Sequence, residues 1–460
     1  MKILDRADVK PTTPSATYST IGVATIPRRG PYVSVRTKFT IAVSVSCLWV
    51  AFSAYLAMPW IDDLTHIFGR ILALGIVVLI ALMPGFMNAF LVSSLLLDRR
   101  PRHIDPAVFP GISVLVAAFN EEGVIVETVT NILRSAYPGP LEVIVIDDGS
   151  SDATLANIEA VESANLRVIR EPHGGKAKAL NAGLAVATYD LVLTVDADTY
   201  LFKDAIQRLV ARIVNDPVNT AAVAGAVLVR NSRDGFIAKM QEWDYFHGIS
   251  SVKRSQSLFQ GTLVAQGAFS IYRKAALLEV GGWPDKIGED IVLTWALLER
   301  EYRVGYAEDA IVFTNVPTTY KAFFNQRRRW SRGLMEAFRT HPNILLRPRM
   351  TTLFIYWNAL FPVLDIAYVL IFIPGVIAAL LGNFAIAGPA TLAVLPLALG
   401  INLVMFLVQR PMFDEQGLKV RRNLIGFICY MLVYSIFLEP ATIVGYFYEF
   451  FGARRSWGTK

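Results

Sequence analysis

The chain has 460 residues and a formal charge of +6, with 54% apolar and 18% charged residues. The soluble average is about 45–50% apolar and about 25% charged. The excess lies in membrane-length blocks whose flanks hold the basic residues, a pattern of loops beside a membrane that excludes a nucleic-acid partner. Only Cys47 and Cys429 are present, each inside an apolar run, so no disulfide framework, cysteine metal site or redox motif can be built.

Residues 1–38 are polar and Pro-containing, with Arg28, Arg29, Arg36 and Lys38 leading into the first apolar run. No short apolar stretch with a small-residue cleavage site starts the chain, so this segment reads as a cytoplasmic tail and not a cleaved signal. Residues 40–60 and 71–97 are each long enough to cross a hydrocarbon core of roughly 30 Å. Their link carries Asp62, Asp63 and His66, and the far flank reads Asp98-Arg99-Arg100-Pro101-Arg102. By charge both outer flanks are cytoplasmic, and residues 39–98 form a transmembrane hairpin. Pro84-Gly85 predicts a kink in its second helix.

Residues 104–345 read as an α/β domain. Residues 112–117 are a β-type run apolar on both faces, followed by Phe119-Asn120-Glu121-Glu122 and a helix over 123–135. A second strand over 143–146 ends at Asp147-Asp148-Gly149-Ser150. Next come a strand at 167–169, a Gly-rich loop, a helix over 178–187, and a strand at 191–195 ending at Asp196-Ala197-Asp198. Strands alternating with helices imply a Rossmann-like, mainly parallel sheet that binds ligands at the carboxyl ends of its strands. Gly288-Glu289-Asp290 opens a helix over 291–299, and Gln326-Arg327-Arg328-Arg329-Trp330 lies in an interfacial helix near 322–340.

Three more apolar runs, near 352–381, 386–408 and 424–450, place about three helices over 350–450, before a basic tail at 451–460. The loop with Arg410, Lys419, Arg421 and Arg422 looks cytoplasmic, as does the tail with Arg454, Arg455 and Lys460. Both cannot hold if the last run crosses once. Glu439-Pro440 interrupts that run, so either it dips and returns or the tail breaks the charge rule. Asp365 and Asn358 fall in the third run, where a mid-membrane carboxylate costs about 2.5–3.5 kcal/mol. Either they sit near an interface or pair with a neighbouring helix, or with Tyr356 and Trp357 they line a hydrophilic path.

The polar motifs each admit two readings. Asp147 or Asp148 can accept hydrogen bonds from a base or ribose, or can serve only the turn after the strand. Asp196 and Asp198 suit Mg²⁺ or Mn²⁺, which bind one or two carboxylates plus substrate phosphates. Asp290 or Glu289 can act as general base, or can simply favour a helix N-terminus. Gln326 to Trp330 offers guanidinium groups for phosphate and an indole for a sugar ring, or else an interfacial anchor. A division of labour would turn Arg329 and Trp330 to the site, and Arg327 and Arg332 to lipid headgroups. His173-Gly174-Gly175-Lys176 can cradle phosphate but lacks the ATP-loop pattern. His247 and His341 have no metal-ligand spacing.

In this order and register the motifs resemble those of the family 2 glycosyltransferases, specifically the processive membrane synthases of cellulose, hyaluronan, chitin-type oligomers and poly-N-acetylglucosamine. The likeness is close over residues 113–333 and looser in the flanking membrane layout. It implies a GT-A fold inserted between transmembrane helices, with inverting, hexosyltransferase-type transfer from a UDP-sugar to leave a β-linkage. By motif, Asp148, with Asp147 beside it, matches the uridine-binding position and Lys176 a diphosphate contact. Glu121 is counted with the donor-binding residues. Asp198 matches the metal ligand with Asp196 nearby, Asp290 the catalytic base beside Glu289, and Gln326, Arg329 and Trp330 the signature holding the diphosphate and the acceptor terminus. Gly288 stands where Thr is usual in many members. No cyclic-dinucleotide-binding barrel follows the last run before Lys460, which points away from cellulose synthases. UDP-N-acetylglucosamine is favoured as donor and UDP-glucose is next, with the growing polysaccharide, the bilayer and an accessory export subunit as partners. The implied location is the inner or plasma membrane. Transfer of one sugar to a lipid or short acceptor is the alternative; the intact carboxylates argue against a non-enzymatic channel or scaffold.

Overall fold

The computed structural model describes residues 33–101, 103–418 and 423–452. The expectations for Arg28, Arg29, Arg102, Lys419, Arg421, Arg422 and the 453–460 tail lie outside the described residues. Short runs of Val, Ile and Leu without polar alternation can be buried only as strands covered on both faces. Such runs supply β1 (Ile112–Ala118), β2 (Leu141–Asp147) and β4 (Leu191–Val195); β3 (Leu166–Arg170), β5 (Thr199–Leu201), β6 (Thr220–Val229), β7 (Phe269–Arg273) and β8 (Arg303–Thr314), of more mixed composition, join them. One eight-stranded sheet results, in the order β3-β2-β1-β4-β7-β6-β8-β5.

Strands β3, β2, β1 and β4 are mutually parallel, as the alternation of strand and helix requires. Strand β7 then runs antiparallel to both β4 and β6, and β5 antiparallel to β8, so the sheet is mixed beyond β4. One core cluster packs the Lys176–Val186 and Glu289–Glu299 helices on one face through Leu180, Leu184, Trp295 and Leu298. The other packs the Ile125–Leu133 and Ala205–Asn215 helices through Val129, Ile132, Leu209 and Val210. Both faces are covered, so substrate can reach only the strand ends.

Among the described residues four helices are long and apolar enough to cross a membrane: Val35–Leu56, Arg70–Leu97, Thr352–Leu380 and Val394–Gln416. The link after the first is itself helical, Met58–Phe68. Pro84 does not break the second helix; a π-turn over Val78–Leu82 directly precedes it, and that wider turn accommodates a residue with no N–H to donate.

The final apolar run consists of Leu424–Leu432 and Tyr434–Phe450, bent by 53°. The break is at Val433 and not at Glu439-Pro440, because Pro440 is accommodated inside the second helix. That second helix runs beside the Tyr320–Thr340 helix in the same direction. Phe437 meets Tyr320 with ring centroids 5.6 Å apart, Arg328 lies 5.1 Å from the Tyr448 ring, and Arg339 pairs with Glu449 at 2.9 Å. Asp365 accepts from the hydroxyls of Thr442 and Tyr446, each at 2.8 Å, so its carboxylate is satisfied by the neighbouring helix.

Candidate active site

Strands β1, β2 and β4 end on the same side of the sheet because they are parallel, and their terminal loops build the site. At the end of β2, Asp147 is fully buried and its carboxylate accepts from Ser150 N at 3.3 Å, which serves the turn. Asp148 is also buried, but its two oxygens reach out to Gly174 N at 2.8 Å and Gly175 N at 2.9 Å, with His173 Nδ1 at 2.9 Å. Oδ1 keeps a further lone pair. The His173 ring is stacked on Phe119 from the end of β1, centroids 4.2 Å apart.

Asp148 thereby moulds the turn that opens the Lys176–Val186 helix. Gly175 has φ 91°, a left-handed value that a side chain would resist. Lys176 emerges as the first helical residue, bonded through Nζ to Asp196 and lying 3.6 Å from Glu289. Three separate motifs therefore meet at one ammonium group. Burial alone would lower the Lys176 pKa, but Asp196 and Glu289 outweigh it and hold the ammonium charged.

Asp198 lies on the same loop, with the Thr314 hydroxyl at 3.5 Å. Burial, then the neighbouring carboxylates of Asp196 and Glu121, push its carboxyl up to about 6. Such crowding of hard oxygen ligands is what a divalent cation relieves, and two carboxylates leave coordination sites for phosphate and water. Among the described residues no group of three acidic or His/Cys side chains forms a closed metal cage. Asp196 and Asp198 alone are too few for a cation, so they could hold one only together with other oxygens, such as those of a phosphate substrate.

Glu289 and Asp290 occupy the first turn of the Glu289–Glu299 helix. Burial raises the Glu289 carboxyl, against the pull of Lys176, and both Asp290 and Arg329 act on it electrostatically. Asp290 is partly exposed and its Oδ1 accepts from Ile291 N at 2.8 Å. Gln326, Arg329 and Trp330 lie on the Tyr320–Thr340 helix, capped by Thr319. Gln326 is buried with its Oε1 lacking a hydrogen-bond partner among the described residues, whereas the Trp330 side chain is 38% exposed.

Arg327 and Arg332 do not face headgroups. Both are buried: Arg327 pairs with Asp244 at 2.9 Å and Arg332 with Glu449 at 3.5 Å. The reason is the Tyr434–Phe450 helix, which covers the side of the Tyr320–Thr340 helix expected to meet lipid. His247 is buried with Nδ1 2.9 Å from Asn402 Oδ1, and His341 pairs with Glu299 at 2.7 Å.

Sequence reasoning passed over Phe119, Asp244, Lys253 and Glu336. Lys253 is buried on the Val252–Leu258 helix, where burial lowers it to about 7 against the opposing field of Asp290. Glu336 accepts from Gly288 N at 3.1 Å and ties the two last motifs together. The one available hint was Gly333, a helix-weakening residue within a charged helix, which usually marks close packing. A Cβ on Gly288 would stand 2.5 Å from Gly333 Cα, so the two glycines make a contact that no side chain permits.

With this geometry described, comparison with known proteins is direct. Residues 113–281 match the model of Glycosyl transferase family 2. That stretch of the central domain is similar to the family. Its relatives include poly-beta-1,6-N-acetyl-D-glucosamine synthases: that of Staphylococcus aureus is 36% identical over 52% of this chain and 57% of its own length. That of Staphylococcus epidermidis is 36% identical over 48% of this chain and 54% of its own. The chain thus spans a little over half the length of the curated relatives it matches. A mannosyltransferase from Pyrobaculum calidifontis, solved with GDP-mannose and Mn²⁺, matches 81% of this chain and 96% of its own, with TM-score 0.56 and 22% identity. That likeness establishes a shared GT-A-like fold.

Proposed function

We propose that the chain transfers a hexose from a UDP-sugar, with UDP-N-acetylglucosamine favoured and UDP-glucose next, onto a growing β-linked polysaccharide that it passes across the membrane. One observation carries this reading: Lys176, Asp196, Asp198, Glu289 and Arg329, from four distant stretches, act on one another beside a helix flanked by membrane-length helices. The poly-beta-1,6-N-acetyl-D-glucosamine synthase relatives favour the acetylated donor.

In this reading the stacked Phe119 and His173 rings and the carboxylate of Asp148 hold the base and ribose. Lys176 and Arg329 bring positive charge to the diphosphate. Asp196 and Asp198 would hold Mg²⁺ or Mn²⁺, which supplies screening of the charge that grows on the leaving diphosphate. Asp290 takes the proton from the acceptor hydroxyl as the hydroxyl attacks the anomeric carbon from the face opposite the diphosphate. Gln326 and Trp330 receive the acceptor end, with the indole as its flat support.

This reading puts the catalytic domain in the cytoplasm, with the last helix pair held against it. Asn423 at its start accepts from Trp243 Nε1 at 2.9 Å and donates to Lys239 O at 2.9 Å, while Glu449 at its end pairs with Arg339. Both described ends of the pair, Asn423 and Glu449, thus contact the catalytic domain and its following helix. An apolar cavity of about 350 Å³, lined by Phe86, Met87, Leu353, Tyr356 and Trp357, lies between the membrane-length helices.

Purified full-length protein given labelled UDP-N-acetylglucosamine, UDP-glucose or UDP-glucuronate with Mn²⁺ or Mg²⁺ tests the reading. A polymeric product from the acetylated donor is expected; a fixed mono- or disaccharide product rejects polymerisation. Asp198→Asn should raise the Mn²⁺ concentration for half-maximal turnover by about 10–100-fold, no less than losing an outer-shell partner does. An unchanged metal titration would remove Asp198 from the ligand set.

A further inference from the structure

Arg327 is 5% exposed, yet its charge is not spent on solvent, lipid or the carboxylates at Lys176. Its Nη2 lies 2.9 Å from Asp244 Oδ2, and its guanidinium carbon stands 4.1 Å from the centre of the Trp330 ring. Phe323 flanks the guanidinium at 5.1 Å, and Tyr245 packs against Trp330 with ring centroids 6.3 Å apart. Asp244 opens a π-turn over Asp244–Ser251 and also accepts a hydrogen bond, 2.8 Å, from the Tyr434 hydroxyl. Tyr434 is the first residue after the Val433 bend in the final helix pair. The guanidinium is thus fixed at one end by an ion pair and at its face by an indole.

A buried ion pair seldom stabilises a fold more than apolar residues of the same volume would; its distinctive effect is to select one geometry. Here the selected geometry is that of Trp330, whose other surface remains open. A planar guanidinium over an indole defines the ring's tilt, which a point-charge ammonium would not.

We propose that the Asp244–Arg327 pair, braced by Tyr434, is a positioning device that holds the Trp330 indole as the seat for the terminal sugar of the acceptor. The proposal rests on the reading above that Trp330 receives the acceptor. It makes Arg327 a positioning residue, since it acts through Trp330. It also gives the helix pair beside the membrane a direct hold on the acceptor seat, because any shift of Tyr434 is passed to Asp244 and Arg327 through two polar contacts.

The test uses the purified full-length protein and a short β-linked oligosaccharide as added acceptor. Trp330 emission is isolated by subtracting the spectrum of Trp330→Phe. Tyr434→Phe removes one hydroxyl and is the gentlest variant; Arg327→Lys keeps the charge without the plane, and Arg327→Met removes both. Each should red-shift Trp330 emission and raise its quenching by acrylamide. Acceptor KM should rise by about tenfold while donor KM stays within about twofold. Arg327→Met combined with Trp330→Phe should be no worse than Trp330→Phe alone. Unchanged Trp330 emission in all three variants, or acceptor effects of Arg327→Met and Trp330→Phe that multiply, would overturn the proposal. Acceptor KM unaltered by Trp330→Phe, alongside a red shift in Arg327→Met, would reject the acceptor role of Trp330 and leave the brace standing.

Discussion

Asp290→Asn is expected to lower turnover by about a thousandfold, within the range of about 10²–10⁴ for loss of a positioned general base, with donor KM nearly unchanged. The amide keeps the size of the carboxylate and still accepts from Ile291 N, so the helix start should persist. What it cannot do is take a proton. Asp290 is the more exposed of the two adjacent carboxylates in the first turn of the Glu289–Glu299 helix. Glu289 is buried against Lys176 at 3.6 Å, so Glu289→Gln should act differently. Loss of that charged partner, worth about 1.5–3 kcal/mol, should raise donor KM by about tenfold or more through a displaced Lys176. Steady-state kinetics with varied donor and acceptor distinguish the two. The reverse outcome, with Glu289→Gln nearly inactive and Asp290→Asn active, would exchange their roles.

Gly288→Thr should be the most damaging substitution outside the charged residues. The first atom it adds would lie 2.5 Å from Gly333 Cα, closer than non-bonded carbons approach, and both are backbone positions that cannot step aside. Overpacking of this kind costs about 1–3 kcal/mol. The Glu336–Gly288 hydrogen bond would go with it, so Asp290 and Trp330 would lose their common frame. A lower midpoint of thermal unfolding is expected, with turnover reduced by more than the loss of folded protein accounts for. Gly123→Ala, where nothing lies within 4 Å of the added carbon, is the matched control and should be silent. Equal behaviour of the two variants would show that the glycine contact is not required.

This contact also accounts for the Gly-Glu-Asp departure. Threonine at 288 demands room that this chain has given to Gly333, so the residue before the carboxylates is set by a neighbouring helix and not by capping chemistry alone.

The motif carboxylates were legible because their chemistry and their place at strand ends are both written in short windows: a continuous apolar run, then Asp-Asp-Gly-Ser or Asp-x-Asp. Lys176 could be read for the same reason, a Gly-rich turn into a helix. The antiparallel run of β7 between β4 and β6 could not, since residues 269–273 look like any buried strand and direction is decided by which partners are left unpaired. Nor could the burial of Arg327 and Arg332. Three arginines before an indole look interfacial until the Tyr434–Phe450 helix is laid beside them.

By itself, then, the order of residues determined that apolar membrane-length helices flank an α/β domain with carboxylates at its strand ends. These properties follow from hydrophobic period and local turn chemistry, which act over a few residues. The tertiary structure alone decided that Glu336 ties Gly288 to the Gln326–Trp330 helix, that Asp244 reaches Arg327, and that the last apolar run bends at Val433 and lies along that helix. Each of these depends on contacts between segments far apart in the chain, where a single ion pair or a missing Cβ sets the geometry and no local pattern encodes it.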